Sequence, residues 1–295
     1  MKEISTLSEP NPYHFEDLGD FGRAALKADC EKCFGLCCVS LPFAASSDFA
    51  MDKQAGEPCR HLQSDFRCGI HNSLRQKGFR GCTVYDCFGA GQKVSQFTYS
   101  GIDWRQAPET AKQMFEVFPV MRQLHELLAY LSEALSHADA HLIHEELRTQ
   151  LHETQRLTEL PPEEILKLDI PAHRAEVNLL LLKTSELVRE EARRRYKGPS
   201  SRKNLKGRGA DLIGAKLKGA DLKFQSFRGA YLIAADLRDA DLRITDLIGA
   251  DFRDADIRDA DLSGSLFLTQ FQINAAKGNA ATKIPEHLER PFHWT

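Results

Sequence analysis

The sequence predicts an α+β chain of several domains. A small metal-bound cysteine-rich module comes first, an α-helical middle region follows, and a C-terminal repeat turns a corner every five residues. Three observations carry this reading. All eight cysteines fall between Cys30 and Cys87, within 58 of the 295 residues. Residues 105–196 space their apolar side chains by threes and fours. From Ala210 onward a large apolar residue recurs at every fifth position. The boundaries follow as 1–100 for the cysteine module with its lead-in, 101–200 for the helical region and linker, and 201–295 for the repeat and its cap.

Composition narrows the function before any motif is weighed. With 39 Lys and Arg against 42 Asp and Glu, the net charge is −3, which gives no overall pull toward nucleic acid or an anionic membrane. The longest aliphatic run, Leu179 to Leu182, is far below the ~20 apolar residues of a membrane span. Met1 to Pro12 is polar and has no apolar stretch of the signal-peptide kind, so a cytoplasmic location is expected. In a reducing cytosol disulfides do not persist. Eight cysteines in one-fifth of a chain there read as metal or iron–sulfur ligation, ahead of disulfides or thiol redox catalysis.

Residues 1–29 form a polar lead-in with a short helix expected around Phe15 to Ala28. The module then opens with Cys30, Cys33, Cys37 and Cys38, spaced C-x2-C-x3-C-C, and continues through Cys59-Arg-His61-Leu62, Cys68-Gly-Ile-His71, Cys82 and Cys87. A C-x2-C pair brings two thiolates to one ion from a tight turn, the usual half-site of tetrahedral zinc, and the spacing serves iron–sulfur clusters equally. Adjacent Cys37 and Cys38 tend to diverge, which suits two different metals, or one ligand and one packed thiol. All eight are candidate ligands, with His61 and His71 beside them. They could complete two four-thiolate zinc sites or two four-iron clusters, or six could ligate without Cys87 and one of Cys37 and Cys38. Arg60, Arg67, Arg75, Lys77 and Arg80 could offset the thiolate charge. Asp86 to Gln92 lacks the glycine spacing and lysine of a phosphate loop and reads as a tight turn.

This pattern resembles the family of cysteine-cluster domains described as zinc- or iron-chelating. Cys30, Cys33, Cys37 and Cys38 match its first element, Cys59 to Leu62 its second, and Cys68 and Cys82 its third and fourth. His71 stands where that family often has Tyr, and the Arg-Pro that often follows is replaced by Leu74-Arg75. Flagellin lysine methylases share the resemblance, but no cofactor-binding glycine motif accompanies it here.

In the middle region, Met121, Leu124, Leu128, Leu131, Leu135, Ala138 and Leu142 lie on one stripe of an amphipathic helix. Asn178 to Tyr196 predicts a second helix with Leu179, Leu182, Leu187 and Val188 as its apolar residues. Pro161-Pro162 and Pro171 mark breaks. His137, His141, His144 and His152 fall about 120° round from the stripe, on a solvated face. Lys197 to Ser201 reads as a linker.

Twelve pentads run from Ala210 to Thr269, centred on large apolar residues from Leu212 to Phe267. Ala stands two before the centre in nine of them and Asp one before it in eight, while Leu205 sits seven residues ahead and breaks register. Five matches neither the helical nor the strand period, so each pentad is read as turning one corner with one large and one small side chain inward. The run resembles the pentapeptide-repeat family, pattern A-(D/N)-L-x-x. That resemblance implies a right-handed quadrilateral β-helix with four pentads per coil, here three coils and ~15 Å tall, capped by Leu266 to Gln270 and Trp294. Some members mimic DNA and protect topoisomerases. Eleven Asp against eight Lys and Arg in so short a stack argue against that role. Every fourth pentad aligns Lys218, Arg238 and Arg258 as a solvated ladder. Phe224 over Ile244, and Ile248 over Leu268, point outward and predict a docking surface for the helices of 105–196.

Two function classes follow. The first is a protein that binds zinc, iron or an iron–sulfur cluster, with the repeat as a scaffold for a protein partner. The second is a metal-dependent enzyme or protein modifier using an open coordination position. No catalytic residues stand out, since neither a Ser-His-Asp pattern nor a dinucleotide fingerprint is present.

Overall fold

The computed structural model describes residues 25–198 and 207–294. The helix expected around Phe15 to Ala28, the end of the linker and Leu205 lie wholly or largely outside them. Regular secondary structure is helical: α1 (Leu36–Ser40), α2 (Arg80–Val84), α3 (Ala90–Lys93), α4 (Ala111–Ser136), α5 (His144–Thr158), α6 (Pro162–Ile165), α7 (Ile170–Arg195) and α8 (Gln270–Ala275). The α+β class and its β-helix are therefore corrected. Among the described residues no strand forms; only isolated single-residue bridges occur. The cause is local. The residue two past each pentad centre has a positive φ from Gly214 to Gly264, so a left-handed residue interrupts the backbone before any strand can lengthen.

In the repeat the bridges are parallel and join residues 20 apart, from Asp211 with Tyr231 to Asp246 with Leu266. Four pentads thus complete one circuit. Backbone bonds such as Leu237 N–H to Asp256 O (2.8 Å) and Asp256 N–H to Ala235 O (2.9 Å) tie successive circuits together. Centres from Leu222 to Leu262 and the alanines before them make one buried core. The register changes at the end. Phe267 turns out of that core at φ 58° and packs edge-on against Tyr130 at 5.9 Å, while Leu268, expected outside, takes the inward place. Ile273 and Trp294 then close this end of the core, with the Trp294 indole N–H donating to Ala276 O (3.2 Å).

The long helices depart from expectation at their ends. α4 stops at Ser136 because His137 is extended, and a 3-10 turn (Ala138–Ile143) follows, leaving Leu142 74% exposed. α7 begins at Ile170, with Pro171 in its first turn where no N–H is needed and Asp169 accepting from Ala172 N–H (3.0 Å). Val177, Leu181 and Val188 form its buried face, whereas Leu179, one of the apolar residues noted in the sequence, is 65% exposed.

That face, with Leu127, Leu128 and Leu131 of α4, packs on Ile244, Ile248 and Phe267 of the repeat. Of the four residues expected outward, Phe224, Ile244 and Ile248 receive the helices, and Leu268 does not. Arg189 and Arg193 of α7 donate to Phe224 O, and Arg228 reaches Asn178 (3.2 Å) and the fully buried Asp246 (3.4 Å).

Candidate metal centre

Short turns place the cysteines. Asp29 caps the 3-10 turn Cys30–Lys32 by accepting from Glu31 N–H. Gly35 then reverses the chain at φ 68°, where a Cβ would lie 2.7 Å from Leu62 Cδ1. α1 follows and carries Cys37 and Cys38, whose sulfurs are 4.0 Å apart. Phe43 and Lys53 pair across a loop, Cys59 N–H donates to Cys38 O (2.9 Å), and Leu62 bridges Cys68. α2 holds Cys82. Cys87 ends a turn in which Asp86 accepts from Phe88 N–H (2.8 Å), the tight turn expected there.

The thiols divide by what they pack on. Cys33, Cys37 and Cys87 lie against the core of Leu36, Ala90, Val94 and, on α4, Met114, Phe118 and Met121. A Cβ at Gly91 would come within 2.7 Å of the Cys33 sulfur and 3.8 Å of the Cys87 sulfur, so glycine keeps open the space those two thiols share. Cys38, Cys59 and Cys68 form the other group. After its partial burial, those three are what oppose ionisation of the Cys82 thiol.

Burial pushes the Cys33 thiol up to about 12 and raises those of Cys68 and Cys87. Backbone N–H groups work against this. Gly35 and Leu36 face the Cys33 sulfur, Ile70 that of Cys68, and Gly89 and Gly91 that of Cys87. Cys37 is raised by its hydrogen bond with Cys38 and by burial, and Cys38 is lowered by the same bond.

Among the described residues, no three His, Cys, Asp or Glu side chains stand together closely enough to hold a metal ion. The two histidines are not drawn in. His61 Nε2 accepts from Arg60 Nε (3.2 Å), and His71 is exposed at the head of a 3-10 turn. The expected counter-charges mostly point elsewhere: Arg67 to Glu31 (2.9 Å), Arg75 to Asn274 O (2.8 Å) and Arg80 to Asp254 (3.0 Å). The sequence reading missed two groups. Lys53 is 5% exposed inside the module, and His125 of α4, 1% exposed, donates from Nδ1 to Phe88 O (2.7 Å). Among the surface histidines, His141 and His152 are exposed as expected, whereas His137 and His144 are half-buried.

The pentapeptide-repeat family model matches residues 208–243 and 226–264, with eight copies of the repeat, and does not extend over the cysteine module. Along 269 residues the chain is 62% identical to "Uncharacterized protein YybG" of Bacillus subtilis (strain 168), covering 91% of this chain and 95% of that protein. The chain belongs to the YybG family. Its C-terminal part carries pentapeptide repeats. No described helix is long and apolar enough to cross a membrane.

Proposed function

We propose that this YybG-family chain is a metal-binding protein whose cysteine module takes zinc or iron, the latter as an ion or an iron–sulfur cluster. The repeat is a scaffold that fixes the module and leaves its free faces to a protein partner. The segments 1–100, 101–200 and 201–295 are its proposed units. The observation that carries the metal reading is the set of backbone N–H groups aimed at the sulfurs of Cys33, Cys68 and Cys87. Such donors stabilise thiolate, yet burial outweighs them, so these thiols hold their protons until a cation offsets the charge. Gly91 leaves room between Cys33 and Cys87. Drawing the sulfurs to ligating distance would then couple binding to folding of the module.

Cys30, Cys33, Cys37 and Cys87 would supply one donor set, and Cys38, Cys59, Cys68 and Cys82 the other. The metal would serve as a structural cross-link in a module whose own apolar core is small. Purification under argon tests this. Stoichiometric zinc in a colourless protein, or iron with visible charge-transfer absorbance, is the expected result. A metal-free protein with an intact, protease-resistant module overturns it.

A further inference from the structure

Lys53 is one of two buried lysines, with Lys93, among the described residues of the cysteine module, and its surroundings are unusual for a lysine. Its ammonium donates to Val39 O (2.9 Å), Leu41 O (2.7 Å) and Gln54 O (3.0 Å). Three N–H bonds are satisfied by three carbonyls, so the group can stay charged without water. Two of those carbonyls belong to the chain leaving α1, directly after Cys38. The Lys53 backbone is itself bonded both ways to Phe43 (2.8 and 3.1 Å), and Cys38 O holds Cys59 N–H. The Lys53 side chain thus holds the end of the helix carrying Cys37 and Cys38, and a backbone bond from Cys59 N–H to Cys38 O joins Cys59 to the same helix.

We infer that Lys53 is the internal counter-cation and positioning residue of the Cys38, Cys59, Cys68 and Cys82 donor set. The inference rests on the metal reading above and extends it. Four thiolates around a divalent cation leave two negative charges in a partly dry site, at a steep desolvation cost. Surface arginines cannot lower that cost while they bond Glu31, Asn274 and Asp254. Lys53 can, because its charge is held in place before any ion arrives. Burial lowers the Lys53 ammonium below the ordinary lysine range, and negative charge at Cys59, Cys38, Glu57 and Cys37 works against that burial.

The test compares the full-length wild type with Lys53→Gln, which keeps donors but loses the charge, and Lys53→Arg, which keeps the charge. Cobalt(II) is titrated into each metal-stripped protein, and the sulfur-to-cobalt absorbance is followed across pH. Lys53→Gln is expected to weaken cobalt binding about tenfold and to move the half-loading pH upward, with Lys53→Arg staying at the wild-type values. Lys53→Met, similar in volume and uncharged, replaces Lys53→Gln if circular dichroism shows the latter unfolded. A folded, uncharged variant that loads like wild type overturns the inference alone, and so does an equal loss in Lys53→Arg. A wild type that takes up neither cobalt nor zinc overturns the metal reading, and the inference with it.

Discussion

Leu237 and Arg258 show how unequal neighbouring side chains are in a repeat of this kind. Leu237 is fully buried among other centres, whereas Arg258 lies on the surface with its guanidinium on Asp256. Leu237→Ala is expected to cost about 3 kcal/mol, and Leu237→Asp to prevent folding of the repeat, because an unpaired carboxylate would enter a dry core. Arg258→Ala should leave the melting midpoint where it is; calorimetry of the three variants checks the order. His125 makes a separate prediction through pH. Burial lowers it to about 4, below the ordinary 6.5, so the folded chain binds fewer protons than the unfolded one in between. Its contribution is complete above pH 6.5 and is lost as the pH falls toward 4, at about 1.4 kcal/mol per unit. Urea melts at pH 7.5 and 5 should show that slope in wild type and a shallower one in His125→Gln.

At the scale of the pentad, backbone strain and docking are linked. Ala234 and Phe224 both sit at positive φ, at 54° and 62°. Ala234 is exposed, whereas Phe224 is 8% exposed and its ring meets Tyr196 at 5.5 Å. Ala234→Gly should therefore be neutral or stabilising by up to about 1 kcal/mol. Phe224→Gly should lose about 3 kcal/mol by opening the contact with α7; denaturant midpoints of the pair decide it. The sequence carried the five-residue period, the 20-residue stacking and three outward residues that meet the helices, Phe224, Ile244 and Ile248, because each is a repeat of side-chain type. It did not carry the absence of strands, which follows from one left-handed residue per pentad and is spelled variously as Gly, Asp, Ala, Phe or Ile. Nor did it show that Phe267 and Leu268 exchange places, a slip of one residue decided by Tyr130 on a distant helix. At the cysteine module, the eight candidate thiols were plain from spacing. Lys53 was not, since its partners are backbone carbonyls that no residue name reveals.

Across the whole molecule, the cysteine module and the repeat depend on different forces. The repeat core uses leucine, phenylalanine and alanine and no thiol. Removing metal, or Cys33→Ser, is expected to loosen residues 30–100 while 207–294 stay folded, and limited proteolysis read by mass spectrometry should place the first cuts in the former. Protection of both regions would mean that the module's fold does not depend on metal. The contacts joining the two parts also impose an order in time. Arg75 reaches Asn274 199 residues away, and Lys27 reaches Glu289 262 away. At ~5–20 residues per second on the ribosome, tens of seconds separate the emergence of Arg75 from that of its partner. Throughout that interval the module lacks the contacts that Arg75 and Arg80 later make with Asn274, Ala275 and Asp254. The turns that carry Cys30 to Cys87 must therefore hold by themselves through that interval, and Asn274 and Asp254 meet a module that already exists.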